Sequence, residues 1–268
     1  MQDEAKIGAR LAPLFSLSGK TALITGAGSG LGKATANLFA EVGAEVVVTD
    51  LILEAAQATA AQIEANGGVA IAVQCDVSDE ASVKRAFAAA DERFGKIDIL
   101  VNNAAHRAKN EFFEMTVEEW DKMHHVCTRG TFLCSREAIK RMRAAGKGGA
   151  IVNISSMSAA HTNLWGINYH YDSAKSGVDA LTRGLAGEFA SERIRVNSVL
   201  PGGMKSEGVA NMRANYDFRG PVTLPGRSLM GGATEPINVA HAVLFLASPA
   251  ANFITGQMLA ADGGFLVS

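Results

Sequence analysis

The chain has 268 residues, a formal net charge of −2, 48% apolar residues and 19% charged residues. That composition fits one large α/β domain with a buried core, or two small domains at most, and excludes a disordered chain. The near-neutral charge gives no electrostatic reason to expect nucleic acid or an anionic membrane as partner.

Residues 1–18 read as an N-terminal extension, loose at first and then packed by Leu14, Phe15 and Leu17. From Thr21 onward, short apolar runs alternate with Ala-rich helical stretches. Ala22-Leu23-Ile24 precedes a helix over Leu31–Val42, and Val46-Val47-Val48 precedes one over Glu54–Ala65. Ala70–Val73 leads to a helix over Glu80–Phe94, and Ile97–Val101 to helical material from Val117 to Ala144. Ala150–Ile154 precedes a helix that begins near Tyr171 and runs to about Ala190. Val196–Leu200 is followed by an irregular stretch, a helix over Ile237–Ala247 and a last strand at Met258–Ala260. Strands that are apolar without alternation are covered on both faces, so the sheet is expected to be parallel. The pattern predicts a Rossmann-type, doubly wound sheet of seven strands flanked by helices, in a single domain over 19–268. The segment 203–234 is too long and irregular for a plain connection and is expected to be a substrate loop.

No apolar run reaches the ~20 residues of a membrane span. The start Met1-Gln2-Asp3-Glu4 lacks the basic and apolar regions of a secretory signal. Cys75, Cys127 and Cys134 leave one thiol unpaired under any scheme, and no Cys-x-x-Cys occurs, so reduced thiols in a cytoplasmic protein are expected.

Two local patterns carry chemistry. The first strand runs into Thr25-Gly26-Ala27-Gly28-Ser29-Gly30-Leu31-Gly32. Between a strand and a helix, such a turn lets backbone N–H groups and the helix N-terminus meet a pyrophosphate. Asp50 ends the second strand, eighteen residues after Gly32. A carboxylate there accepts the hydroxyls of an adenine ribose and repels a 2′-phosphate, which favours NAD over NADP; the alternative is a strand-end cap. The second pattern is Tyr171-Asp172-Ser173-Ala174-Lys175, with Ser155-Ser156 upstream at a strand end. Residues i and i+4 share a helix face. A free phenol titrates near about pH 10 and is a poor base at neutral pH. A fixed ammonium beside it favours the ionised form.

These pieces, in this order, resemble the short-chain dehydrogenase/reductase family over residues 18–266. The matching segments are the glycine loop, Asp76-Val77, Asn102-Asn103-Ala104, Ser156, Tyr171-x-x-x-Lys175, Pro201-Gly202, Thr255-Gly256-Gln257 and Asp262-Gly263-Gly264. The resemblance implies cofactor contacts from Gly26, Gly28, Ser29, Gly30, Leu31 and Gly32, then Asp50, Asp76, Val77 and Asn103. It also implies contacts from Tyr171, Lys175, Pro201, Gly202, Met204 and Ser206. It implies interconversion of a secondary alcohol and a ketone with NAD. Tyr171 would act as general base or acid, Ser156 as hydrogen-bond donor to the substrate oxygen, and Lys175 as holder of the nicotinamide ribose. It further implies a homotetramer built on the Val117–Ala144 and Tyr171–Ala190 helices.

Three departures from the family stand out. Ala105 replaces the usual Gly and either narrows the site or alters loop packing. Cys127 stands seven residues after Trp120, where many members carry an asparagine that holds a relay water; a thiol is a weaker partner. The gap of fifteen residues from Ser156 to Tyr171 is longer than usual, and Ser155 is the alternative to Ser156.

His161–His170 should form one wall of the substrate pocket. Lys205, Arg213, Arg219 and Arg227 stand against Glu207 and Asp217 in the long loop. They suggest a polyol, sugar acid or ring hydroxy acid, unless they belong to a solvated lid. Met204, Met212, Leu224, Leu229 and Met230 would instead suit a steroid or lipid alcohol. His106 and Arg107 flank the substrate or lie at its rim. His124 and His125 need not face the site. His161 and His170 lack a third metal ligand at suitable spacing, so no metal is expected. Double-bond reduction on the same site is disfavoured, because such members space Tyr and Lys more widely. A sensor or scaffold that binds NAD without turnover is the rival from another class.

Overall fold

The computed structural model describes residues 2–108, 111–161, 168–205 and 228–268. Seven strands form one sheet: β1 (Thr21–Thr25), β2 (Glu45–Asp50), β3 (Val69–Gln74), β4 (Ile99–Asn102), β5 (Gly149–Ile154), β6 (Ile194–Pro201) and β7 (Met258–Ala261). Their spatial order is β3-β2-β1-β4-β5-β6-β7, with every neighbouring pair parallel. The chain therefore starts mid-sheet at β1, winds outward to β3, returns to β4 and winds to the other edge. Between β1 and β4 the winding reverses, and a crevice opens at the carboxyl ends of the strands.

Helices α2 (Gly30–Glu41), α3 (Leu53–Ala65) and α4 (Glu80–Phe94) connect the first strands. Successive strand residues point to opposite faces, and both faces are packed. Ile24, Val46, Val48, Val101 and Val152 join Phe39 of α2 on one side, together with Val243 and Leu246 of the late helix α8 (Pro236–Ala247). Leu23, Val47, Leu100 and Ile151 face Phe87 of α4 and Met142 of α6 (Gly130–Ala145) on the other. Two buried faces are the reason these strands read as unbroken apolar runs.

Three expectations change. The N-terminal extension is helical, α1 (Gln2–Phe15). Only Leu17 packs into the core, while Leu14 and Phe15 stay exposed. The helical stretch from Val117 is three pieces: α5 (Val117–His124), a π-helical turn (His125–Arg129) and α6. The helix bearing Tyr171, α7, begins two residues earlier than that tyrosine and spans Tyr169–Phe189.

A buried polar chain fixes the sheet against α6 and α7. Asn102 Nδ2 donates to Asn153 Oδ1 at 2.8 Å and to Ser135 Oγ at 3.0 Å, and Asn153 Nδ2 donates to Thr182 Oγ1 at 2.9 Å. Among the described residues, no helix is long and apolar enough to cross a membrane.

Candidate active site

The cleft at the carboxyl ends of the strands has a volume of about 890 Å³. It holds most of the residues singled out in the sequence. Gly26, Ser29, Gly30 and Leu31 line it from the first loop, and Asp50, Asp76 and Val77 from the ends of β2 and β3. Asn103 follows β4, and Pro201, Gly202 and Met204 stand at and beyond the end of β6. Ser156, Tyr171 and Lys175 line the same cleft.

Gly28 and Gly32 do not line the cleft; they let other groups close in beneath it. A Cβ on Gly28 would stand 2.6 Å from Ala55 Cβ and 2.8 Å from Asp50 Oδ2, and one on Gly32 2.2 Å from the Gly26 carbonyl oxygen. Asn103 Nδ2 donates to the carbonyls of Thr25 and Gly26, both at 2.9 Å, and clamps the turn from β4. Thr25 Oγ1 accepts the N–H groups of Asn103 and Ala104 at 3.0 Å. The loop is thus rigid before any ligand arrives. Ser29 caps α2 through backbone geometry alone, with no side-chain hydrogen bond to the helix.

Asp50 caps the turn, the alternative role foreseen for it. Oδ2 accepts the Gly28 N–H at 2.9 Å and Oδ1 the Ile52 N–H at 3.0 Å, so it caps the turn. It also lines the cleft, and a carboxylate accepts more than two hydrogen bonds. A loop that only glycine can form, followed by a strand-end carboxylate, fits a dinucleotide.

Lys175 is buried, and its Nζ donates to the Ile154 carbonyl at 2.6 Å. The ammonium stands 5.6 Å from the Tyr171 ring centroid. An ammonium has three donors. Ser155 and Ser156 both line the cleft but make different hydrogen bonds. Ser155 Oγ turns to α7 and donates to the Lys175 carbonyl at 3.3 Å. Ser156 Oγ accepts the Ser158 N–H at 3.1 Å, which leaves its own proton to donate into the cleft. Deeper down, Asp179 accepts from Ser198 Oγ at 2.9 Å, and burial raises its pKa.

Cys127 is a buried packing residue. It clusters with Met123 and Ala174, against Ala105 and Tyr171. Its thiol lies 3.8 Å from Met123 Sδ and 4.0 Å from the His106 carbonyl, and its own carbonyl accepts Thr131 Oγ1 at 2.7 Å. Ala105 joins this cluster and also lines the cleft. Cys75 lines the cleft too, but burial pushes its pKa up to about 11, so it is a protonated thiol at neutral pH.

The histidines divide. His106 and His125 line the cleft with Arg107. His124 instead pairs with Ser173 Oγ of α7 at 3.1 Å, and Trp120 stacks on its ring at 4.8 Å. His161 packs edge-on to Phe265. His170 is fully buried with neither ring nitrogen hydrogen-bonded among the described residues, and burial lowers its pKa. Among the described residues, no group of three His, Cys, Asp or Glu could hold a metal.

Lys205 is paired with Glu235 at 3.0 Å rather than aimed at a ligand. Met204 is buried, whereas Leu229 and Met230 are exposed and do not line the cleft. Ser206, Glu207, Met212, Arg213, Asp217, Arg219, Leu224 and Arg227 lie outside the described residues, as do positions 162–167 of the expected pocket wall. Asp172 and Ser158 line the cleft although the sequence reading gave them no role, and Asn168 lines it from the expected pocket wall. The only signal for Asp172 was a carboxylate directly after the tyrosine.

A family model described as enoyl-(acyl carrier protein) reductase matches residues 26–266. The chain is 40% identical over 251 residues to 2,5-dichloro-2,5-cyclohexadiene-1,4-diol dehydrogenase of Sphingobium indicum, covering 94% of this chain and 98% of that protein. The chain belongs to the short-chain dehydrogenase/reductase family. It is also 40% identical over 247 residues to cis-4-hydroxycyclohexanecarboxylate dehydrogenase of Sinomonas cyclohexanicum, covering 92% of this chain and 96% of that one. Among solved structures, a short-chain type dehydrogenase/reductase from Mycobacterium marinum superposes with a TM-score of 0.88 at 34% identity. That match covers 96% of this chain and 100% of the other. Dehydrogenases of this family use nicotinamide cofactors.

Proposed function

We propose that the protein is an NAD-dependent dehydrogenase that interconverts a secondary alcohol and its ketone, with a ring carrying a second polar group as substrate. The observation that carries this reading is the meeting of Ser156, Tyr171 and Lys175 in the cleft that also holds the glycine loop and Asp50. The glycine loop, Asp50, Asp76, Val77 and Asn103 would hold the dinucleotide, with Pro201, Gly202 and Met204 at its other end. When bound, a nicotinamide dinucleotide supplies the hydride acceptor.

The chain's own residues handle the proton and the charge. Tyr171 takes the proton of the substrate hydroxyl in oxidation and returns it in reduction. Ser156 donates a hydrogen bond to that same oxygen and steadies the charge that develops there. Lys175 places a positive charge beside the phenol ring, and its remaining donors suit a ribose hydroxyl. Asp50 supports NAD over NADP, because a 2′-phosphate would meet a carboxylate. Three free, buried thiols support a reducing, cytoplasmic setting. The Tyr–Lys spacing supports alcohol chemistry rather than the double-bond reduction that the family model's description carries.

Two relatives named for ring substrates support the ring reading. A ring hydroxy acid is the second candidate, favoured by Arg107, which stands exposed at the cleft without an ion pair among the described residues. The test is NADH fluorescence during incubation with ring diols, ring hydroxy acids, open-chain polyols and steroid alcohols. NADH formation with ring substrates supports the proposal. Tight NAD binding with no turnover of any of them would mark a sensor instead.

A further inference from the structure

The first turn of α7 brings a second polar group into the cleft that the oxidation scheme does not use. Asp172 directly follows Tyr171 and lines the cleft together with Ser156. Its carboxylate takes hydrogen bonds from the Asn168 backbone N–H and the Ser158 side chain. Ser158 in turn donates its backbone N–H to Ser156 Oγ at 3.1 Å. The carboxylate is therefore tied to the same short turn that presents the Ser156 hydroxyl. Burial pushes its pKa up to about 6, which marks a carboxylate partly withdrawn from bulk water.

Asn168 completes the picture. Its Nδ2 donates to the Ala108 carbonyl at 2.8 Å, while its Oδ1 is buried with no hydrogen-bond partner among the described residues. It, too, lines the cleft. Buried acceptors in native proteins are seldom left without a donor. A carboxylate offers about four acceptor sites, and only two donors reach Asp172. Both side chains thus offer spare acceptors beside the reacting centre. A ligand that supplies donors there is hydroxylated; one with a carboxylate at that point would face repulsion.

We propose that Asp172 and Asn168 form a subsite for a second substrate hydroxyl, which makes the enzyme selective for cyclic diols. The non-reacting hydroxyl donates to Asp172 while Ser156 and Tyr171 engage the reacting one. This rests on the reading of the protein as a secondary-alcohol dehydrogenase. The competing role for Asp172 is that of a helix cap alone, since it accepts the Asn168 N–H. A cap affects folding but does not distinguish one alcohol from another.

The experiment compares kcat/KM with NAD⁺ for cyclohexanol, cis-1,2-cyclohexanediol and cis-1,4-cyclohexanediol in wild type, Asp172→Asn and Asp172→Ala. The wild type is expected to favour one of the diols over cyclohexanol by about tenfold or more, as sites built to bind a hydroxyl do. Asp172→Ala is expected to abolish that preference through the KM of the diol, and Asp172→Asn, which keeps an acceptor and the cap, to lose part of it. The diol should raise the melting temperature of NAD⁺-loaded wild type and not that of Asp172→Ala. A diol-to-cyclohexanol ratio unchanged by either substitution overturns the subsite and leaves a cap. A wild type that oxidises cyclohexanol as well as either diol overturns the subsite but not the dehydrogenase. A wild type that oxidises none of the three overturns the subsite, and the dehydrogenase reading falls with it only when the ring hydroxy acids, open-chain polyols and steroid alcohols also give no NADH.

Discussion

Asp50 makes the sharpest single-residue prediction about the cofactor. Its carboxylate both caps the turn through Gly28 and Ile52 and lines the cleft. Asp50→Ser keeps a small capping group but removes the negative charge. It is expected to raise the KM for NAD⁺ by about tenfold, the worth of one lost charge-assisted hydrogen bond, and to lower that for NADP⁺. Unchanged Michaelis constants for both would leave Asp50 as a cap only. Asp172 gives a second prediction at this scale. Its folded pKa is about 6 against a usual 3.8, so between those values the folded state binds more protons than the unfolded chain. Its contribution to stability therefore falls as pH rises from about 4 to about 6. The melting temperature of Asp172→Asn minus that of wild type should climb across this window and level off above it. A flat difference would contradict the burial of this carboxylate.

At the scale of elements, the glycine loop and the π-helical turn show how local geometry serves the site. Gly32→Ala would drive a methyl into the Gly26 carbonyl. The substitution should cost about 1–3 kcal/mol of stability, as overpacking does, and weaken NAD⁺ binding because the loop must move. Wild-type affinity and melting temperature in this variant would contradict the account of the loop. Cys127 sits in the π-helical turn and packs against Met123. An Asn there would bury an amide beside sulfur and methyl groups. Cys127→Asn is expected to cost about 1–3 kcal/mol with no gain in turnover; faster turnover would reveal a relay that the thiol impairs.

The inner strands were legible in the sequence because both their faces are buried, so each is an apolar run; the edge strands β3 and β7 are apolar but largely not buried. Ser156, Tyr171 and Lys175 were picked out by their resemblance to a family motif, because a Tyr and a Lys four residues apart are common on helices. The break at His125–Arg129 was not legible, since a single π turn shifts the helical phase by only one residue and no residue type marks it. Asp172 was missed because its place in the cleft depends on which way the chain enters α7, and no spacing encodes that; Asn168 was foreseen only as part of the pocket wall. Helix α1 was missed although Ile7, Leu11, Leu14 and Phe15 recur at helical spacing, because the segment reads as a loose extension.

The whole molecule is a parallel sheet whose winding reverses between β1 and β4, with the chemistry gathered above that reversal. The glycine loop, Asp50, Asp76 and Val77 line the cleft from the β1–β3 half, and Ser156, Tyr171 and Lys175 from the β5–α7 side. The two sets meet only in the assembled sheet, which makes the cleft a product of the complete fold. We propose a homotetramer built on α5, α6 and α7, and the exposed Val117, Trp120 and Phe132 on these helices support it. Native mass spectrometry is expected to find four times the 28.0 kDa chain, and Phe132→Asp to yield smaller species. A wild-type monomer would contradict this assembly. The central claim is that Tyr171 moves the substrate proton. The most direct measurement is the rate of NADH formation from a cyclic diol by wild type and by Tyr171→Phe. The account predicts turnover by the wild type and a loss of about 10²–10⁴-fold in the variant, with NAD⁺ affinity retained. Near-normal turnover by Tyr171→Phe would contradict it.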